Sequence, residues 1–150
     1  MIPMLQDYFD RLLFLHADLR RAIEGLPPEA LDWSPGPEIN SIAVLAVHTA
    51  GSERYWIGDL IGRDPSGRVR ESEFQVQGLA AAELIARLDA ALAHSRSVID
   101  RLTLADLDMK RTLQSDGREV SVAWALAHAL EHTAIHLGHM QLMRQLWGQR

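Results

Sequence analysis

Cysteine is absent from this 150-residue chain. That excludes disulfides, thiolate metal ligands and a thiol nucleophile supplied by the protein. It also fits a reducing compartment, and a cytoplasmic location is expected. Positive charge is scarce: 15 Lys and Arg stand against 20 Asp and Glu, for a net charge of −5. Without a long basic run, the chain has no evident surface for tracking phosphates, and nucleic acid is not an expected partner. Long apolar runs are missing too. No stretch approaches the ~20 residues that span a bilayer, so no membrane partner is expected. The N-terminal segment MIPMLQDYFDRLLFLHADLRRAI carries Asp7, Asp10 and Arg11 among its apolar residues and lacks a basic start, unlike a signal peptide.

What is present is ordinary for a soluble globule: 47% hydrophobic and 23% charged residues. The length suits one domain, residues 1–150, with a sizeable core. Four helices are predicted. The first runs from about Pro3 to Glu24, with Leu5, Phe9, Leu12, Leu19 and Ile23 at helical spacing and Gly25 and Pro27-Pro28 as a stop. The second starts at Asn40 or Ser41, either of which is a good N-cap, and ends near Gly62. The third covers about Ala80 to Leu102, and the fourth about Ser121 to Trp147. Residues 25–40 hold four prolines and Trp33 and read as an ordered loop. Residues 63–79 are long enough to cross the end of a bundle, so the second and third helices need not be antiparallel. Residues 103–120, with Asp116-Gly117, read as a small β-hairpin or an extended excursion. The expected architecture is all-α, a four-helix bundle with one or two long crossovers.

The chemistry concentrates in the fourth helix, AWALAHALEHTAIHLGHMQLMRQL. At ~100° per residue, His128, His132, His136 and His139 fall in a stripe roughly 80° wide. Trp124, Ala125, Ile135, Met143 and Leu146 share it, and the stripe reads as the face that the bundle buries. Imidazoles collect in such a place only with partners for their nitrogens, and a metal ion is the leading one. His132 and His136, at i and i+4, are neighbours whose nitrogens can converge on one ion. His128 with His132 has the same spacing, and His136 with His139 is an i, i+3 option. A third ligand has to come from elsewhere. His48 is the best supplier, in the second helix beside Ser52, Tyr55 and the small Gly51, which leaves room for a cavity.

The segments LAHALEHTAIHLGHMQLMRQL and SIAVLAVHTAGSERYWIGDLIG resemble the last and second helices of the DinB superfamily of bacterial four-helix bundles. The resemblance extends over essentially the whole chain in length, helix order and histidine placement. It implies an up-down-down-up bundle and a metal triad at His48, His132 and His136. It implies pocket or supporting roles for His139 and His128. The superfamily holds stress-linked metal-binding proteins and thiol-dependent enzymes, such as mycothiol-dependent maleylpyruvate isomerase and bacillithiol transferase. A homodimer is expected by the same resemblance, and Leu126, Leu130 and Leu137 form a second apolar strip that needs cover from the 103–120 excursion or another subunit.

Two functional readings stay open. One is a metal-dependent thiol S-transferase or hydrolase with a divalent ion, Zn²⁺ or Ni²⁺, between which an all-imidazole set does not choose. Its low-molecular-weight thiol and its small-molecule substrate come from outside. The other is a non-catalytic bundle that binds a metal or ligand, dimerises, and serves a stress response. Ser52 and Tyr55 are candidates for hydrogen bonds to substrate, though packing suits them too. His16 lines the pocket or sits in the core on a backbone carbonyl. His94 reads as solvated, Glu53 and Glu131 as pointing away from the site. Trp33, Trp56, Trp124 and Trp147 read as core or interface anchors.

Overall fold

A computed structural model describes all residues, 1–150. Helix α1, Pro3–Ile23, opens on a proline at its first turn and buries Leu5, Phe9, Leu12, His16, Leu19, Ala22 and Ile23 along one face. It stops before Gly25, whose φ of +76° ends the helical path. The proline-rich loop that follows contains a one-turn helix α2, Pro28–Leu31, which plugs Ala30 and Leu31 into the core.

Helix α3, Ile42–Glu53, is capped by Ser41, whose Oγ accepts from the Val44 N–H at 3.2 Å. It is buried almost all round, as its unbroken apolar run dictates. From Arg54 to Ile61 the helix continues with π-type hydrogen bonding, and Gly62 N–H closes it on the Ile57 carbonyl. The second helix of the sequence is therefore two helical forms joined end to end. Residues 62–80 form the long crossover, with a 3₁₀ turn at Arg70–Gln75 lying against α3.

Helix α4, Ala81–Ile99, begins where Glu83 accepts from the Ala80 N–H at 2.9 Å. The 103–120 region resolves as the β-hairpin alternative: β1, Lys110–Thr112, pairs antiparallel with β2, Glu119–Ser121, around a turn with Gly117 at φ +72°. Ser121 then caps α5, Val122–Trp147, accepting from Trp124 N–H at 3.1 Å.

The core has two apolar halves. Leu19, Ala22 and Ile23 of α1 meet the start of α3, Leu84 and Leu88 of α4, and Leu137, Met140 and Met143 of α5. Leu5, Phe9 and Leu12 meet Ile57–Ile61, Val98, Ile99 and the start of α5. Chain direction follows from this: α1 and α5 run one way, α3 and α4 the other, which is the up-down-down-up order. Between the halves each long helix places a buried polar residue, His16, Glu53, Ser95 and Thr133, all at most 5% exposed; α3 also buries His48, Thr49 and Ser52. His16 Nε2 lies 2.6 Å from Glu53 Oε2, Ser95 Oγ donates to Glu53 Oε1 at 2.7 Å, and Thr133 Oγ1 donates to the Ala129 carbonyl.

Helix α5 corrects one expectation in part. Its buried face centres on Val122, Leu126, Ala129, Thr133, Leu137 and Met140, roughly a quarter-turn away from the histidine stripe. Ala125 and Met143, at the edge of that stripe, are buried as expected, but Trp124 and Ile135 are exposed. The bundle takes the aliphatic strip because it has no ring nitrogens to satisfy. Leu126 packs with Leu107, Leu113 and Val120, so the 103–120 excursion supplies cover for that strip, and Leu137 packs into the other half of the core.

Candidate metal centre

The rotation of α5 puts His128 and His132 at the edge of the core, where they line a cleft. His132 and His136 are half-buried, one turn apart. Helix α3 presents His48, 6% exposed, from the opposite side. His48 Nε2 is 3.1 Å from His132 Nε2, and His132 Nε2 is 3.1 Å from His136 Nε2. One ring nitrogen from each of the three lies within 4.8 Å of the others. Two nitrogens bound to one ion at about 2.0–2.1 Å, subtending 90–110°, sit about 2.9–3.4 Å apart. The observed separations fall inside that range.

The ring of His48 is held by a residue that the spacing arguments missed. Glu73, in the 3₁₀ turn of the crossover, places Oε2 2.8 Å from His48 Nδ1. Nδ1–H donates to the carboxylate, so Nε2 carries its lone pair toward the other rings. Arg68 anchors Glu73 with Nε to Oε1 at 2.6 Å and Nη2 to Oε2 at 2.8 Å. Burial works to raise the Glu73 carboxyl, but the hydrogen bonds and charges of Arg68 and His48 outweigh it and hold it below the usual carboxylate range. No local motif marks Glu73; only the fold of the crossover onto α3 brings it 25 residues back to His48.

Electrostatics favour neutral rings. Burial, then the charges of His136, His48, His128 and Arg68, push His132 down to about 3. Burial with His48 and His139 pushes His136 down to about 4. Neutral imidazole is the form that binds metal. With His48 Nε2 an acceptor, at most one N–H fits among the three nitrogens, whereas a single cation would engage all three lone pairs. The donor set thus fits a divalent ion held by His48, His132 and His136, with positions left open toward the cleft.

The cleft has a volume of about 930 Å³ and is walled by His48, His132, His128, Ser52 and Tyr55 among others. Its floor includes the π-helical segment, whose wider turn carries Tyr55, Trp56 and Asp59 to it. His128 lines the cleft and stacks on Trp124 at 5.0 Å, with Trp56 edge-on at 4.5 Å. Trp56 and Trp124 therefore frame an imidazole; Trp56 also packs against the core, whereas Trp124 is exposed. Trp33 and Trp147 do pack together, at 5.9 Å, edge to face.

Other residues fall differently from their sequence reading. His16 does not line the cleft; it is a core histidine, bonded to the Glu53 carboxylate and not to a carbonyl. His139 is exposed, its ring 5.7 Å from His136, and it does not line the cleft. His94 is partly buried against Gly58 with Nε2 3.6 Å from Asp64 Oδ2. Gly51 leaves no room for substrate, because Glu73 and Arg68 fill the space beside it.

A family model described as mycothiol-S-transferase matches residues 4–149. No curated protein matches the chain. Among solved structures, the crystal structure of a conserved protein of locus from Enterococcus faecalis is similar over 100% of both chains, with a TM-score of 0.84 and 16% identity. At that identity the likeness speaks for the fold.

Proposed function

The chain belongs to the mycothiol-S-transferase family, a DinB-like family, and from that premise we propose a metal-dependent transferase acting on a low-molecular-weight thiol such as mycothiol. The observation that carries this reading is the meeting of three Nε2 atoms, from α3 and α5, at the end of an open cleft. A divalent ion, zinc or nickel, held by His48, His132 and His136 would supply a Lewis acid that lowers the pKa of an incoming thiol. The thiol must come from outside, since the chain has no cysteine.

The chain's own residues do the positioning. Glu73 and Arg68 fix the His48 ring in one tautomer and one orientation. Ser52 and Tyr55 stand on the His48 side of the cleft to hold the acceptor molecule. His128, an imidazole outside the triad with its ring 6.2 Å from His132, takes the thiol proton through a bridging water. Transfer forms an S–C bond at the acceptor as its leaving-group bond breaks, the leaving group departing with that electron pair.

A non-catalytic metal-binding bundle is the second reading. It draws on one observation: Asp59 at the cleft and Glu73 behind His48 are both engaged by arginine and so do not serve as a free base. One experiment separates the two. Untagged protein is assayed for metal and for thiol consumption with electrophilic acceptors, before and after chelation. Turnover lost on chelation and restored by metal supports the transferase, and its absence across a broad acceptor panel favours the second reading. Stoichiometric metal surviving in both His48→Ala and His136→Ala overturns the site itself.

A further inference from the structure

The chain carries a net charge of −5, yet the cleft wall facing the histidines is basic. Arg63 and Arg70 come from the crossover, and Lys110 and Arg111 from β1. The acidic side chain in this wall, Asp59, is already taken by Arg54 Nη1 at 2.6 Å and by Ser66 Oγ at 2.8 Å. Arg68 is likewise committed to Glu73. Arg63, Lys110 and Arg111 form no salt bridge, although Asp106 lies near enough to Arg111 to act on its charge.

Arg111 is the centre of this wall. It pairs in register with Val120, which is buried in the core, so both side chains point to the bundle and not outward. Its Nε is fully buried and lacks a hydrogen-bond partner, while Nη1 donates only to the Lys110 carbonyl at 3.0 Å. Nε itself is closed to solvent, so an anionic oxygen entering the cleft would meet the outer guanidinium nitrogens. Burial and then the charge of Arg63 depress the Arg111 guanidinium, against a smaller opposing pull from Asp106. Arg63 sits at φ +56°, a left-handed conformation uncommon for a residue with a side chain.

We propose that Arg63 and Arg111 bind an anionic oxygen group, a carboxylate or phosphate, on the acceptor molecule that enters the cleft, while Lys110, next to Arg111 on the strand and on its other face, adds only positive charge nearby. Two forks suit such a group, which would hold the acceptor's electrophilic end toward the histidines. The inference rests on the transferase reading only in calling the anion part of the acceptor. Anion binding itself stands apart from it.

The test is calorimetric titration of the metal-loaded protein with succinate and, separately, inorganic phosphate at low ionic strength. Both should bind saturably or one should, the tighter probe naming the group. The Arg63→Gln/Arg111→Gln pair should weaken binding about tenfold or more, with metal content and helicity kept. Arg63→Gln alone, on an exposed loop, should weaken it in part even if the hairpin change harms folding. Wild-type affinity in the single and double variants overturns the proposal, as does saturable binding of neither probe. Binding lost in His132→Ala but retained in the arginine pair also overturns it, by placing the anion on the metal. Failure of the transferase reading would register instead as absent metal or absent thiol turnover, with anion binding intact.

Discussion

The carboxylate of Glu73 occupies the place where a Cβ on residue 51 would stand, so the glycine at 51 is what lets Glu73 reach Nδ1 of His48. A methyl there meets the carboxylate and lies 3.2 Å from Arg68 Nε. Gly51→Ala should push Glu73 off His48 and free the ring to rotate. Metal affinity should fall by about 10–100-fold, and Glu73→Gln, which breaks the charge pair without crowding, should fall less. Competition against a chromophoric chelator measures both. Equal affinity in Gly51→Ala and wild type would remove Glu73 from the site's support.

Metal removal should lower stability as well as activity. An ion present at 100 to 1,000 times its dissociation constant stabilises the folded state by about 3–4 kcal/mol. Chelation should therefore lower the thermal midpoint of the wild type. His136→Ala, which breaks the donor set, should start lower and respond little to the chelator. Calorimetric scans of the two proteins with and without chelator test this.

Acid should act in the same direction on the metal-free chain. His132 and His136 titrate at about 3 and about 4 in the fold, well below the 6.5 of a free imidazole. Below pH 6.5 the unfolded chain takes up these protons before the folded one does. The stability they contribute is complete above pH 6.5 and drains away as pH falls toward 4 and then 3. Urea midpoints of chelated protein between pH 7.5 and 4.5 should decline, and decline less steeply in His132→Gln/His136→Gln. Parallel slopes would contradict the assignment.

The polar layer offers a separate check on the fold. Glu53, 1% exposed, holds both His16 and Ser95. Removing it alone leaves two buried polar groups without their partner, and Glu53→Ala should cost about 3–5 kcal/mol. Replacing both members, His16→Leu with Glu53→Leu, should cost less than the sum of the single changes, because neither is left facing the gap of the other. Urea unfolding of the four proteins closes the cycle.

Much of this molecule is written in local sequence. The helices were legible because a 3.6-residue apolar period, Ser41 and Ser121 as caps, and Gly25 with the paired prolines as a stop all act within a few residues. His132 and His136 were legible as a pair for the same reason: one helical turn brings them together wherever the helix lies. His48 as their partner needed more, a resemblance to known bundles together with its place on an apolar helix.

Tertiary structure alone decided the rest. Whether α5 buried its histidine stripe or its leucine strip depended on which surface α1 and α3 offered, and the aliphatic strip won because it leaves no ring nitrogen without a partner. Glu73, 25 residues from His48, and the basic wall of Arg63, in the crossover, and Arg111, in β1, carry no spacing signal. Neither does the layer of His16, Glu53, Ser95 and Thr133, one residue per helix. Local periodicity determined the helices and one pair of ligands; the packing of distant segments determined what surrounds those ligands, because hydrogen bonds and charges act through space and not along the chain.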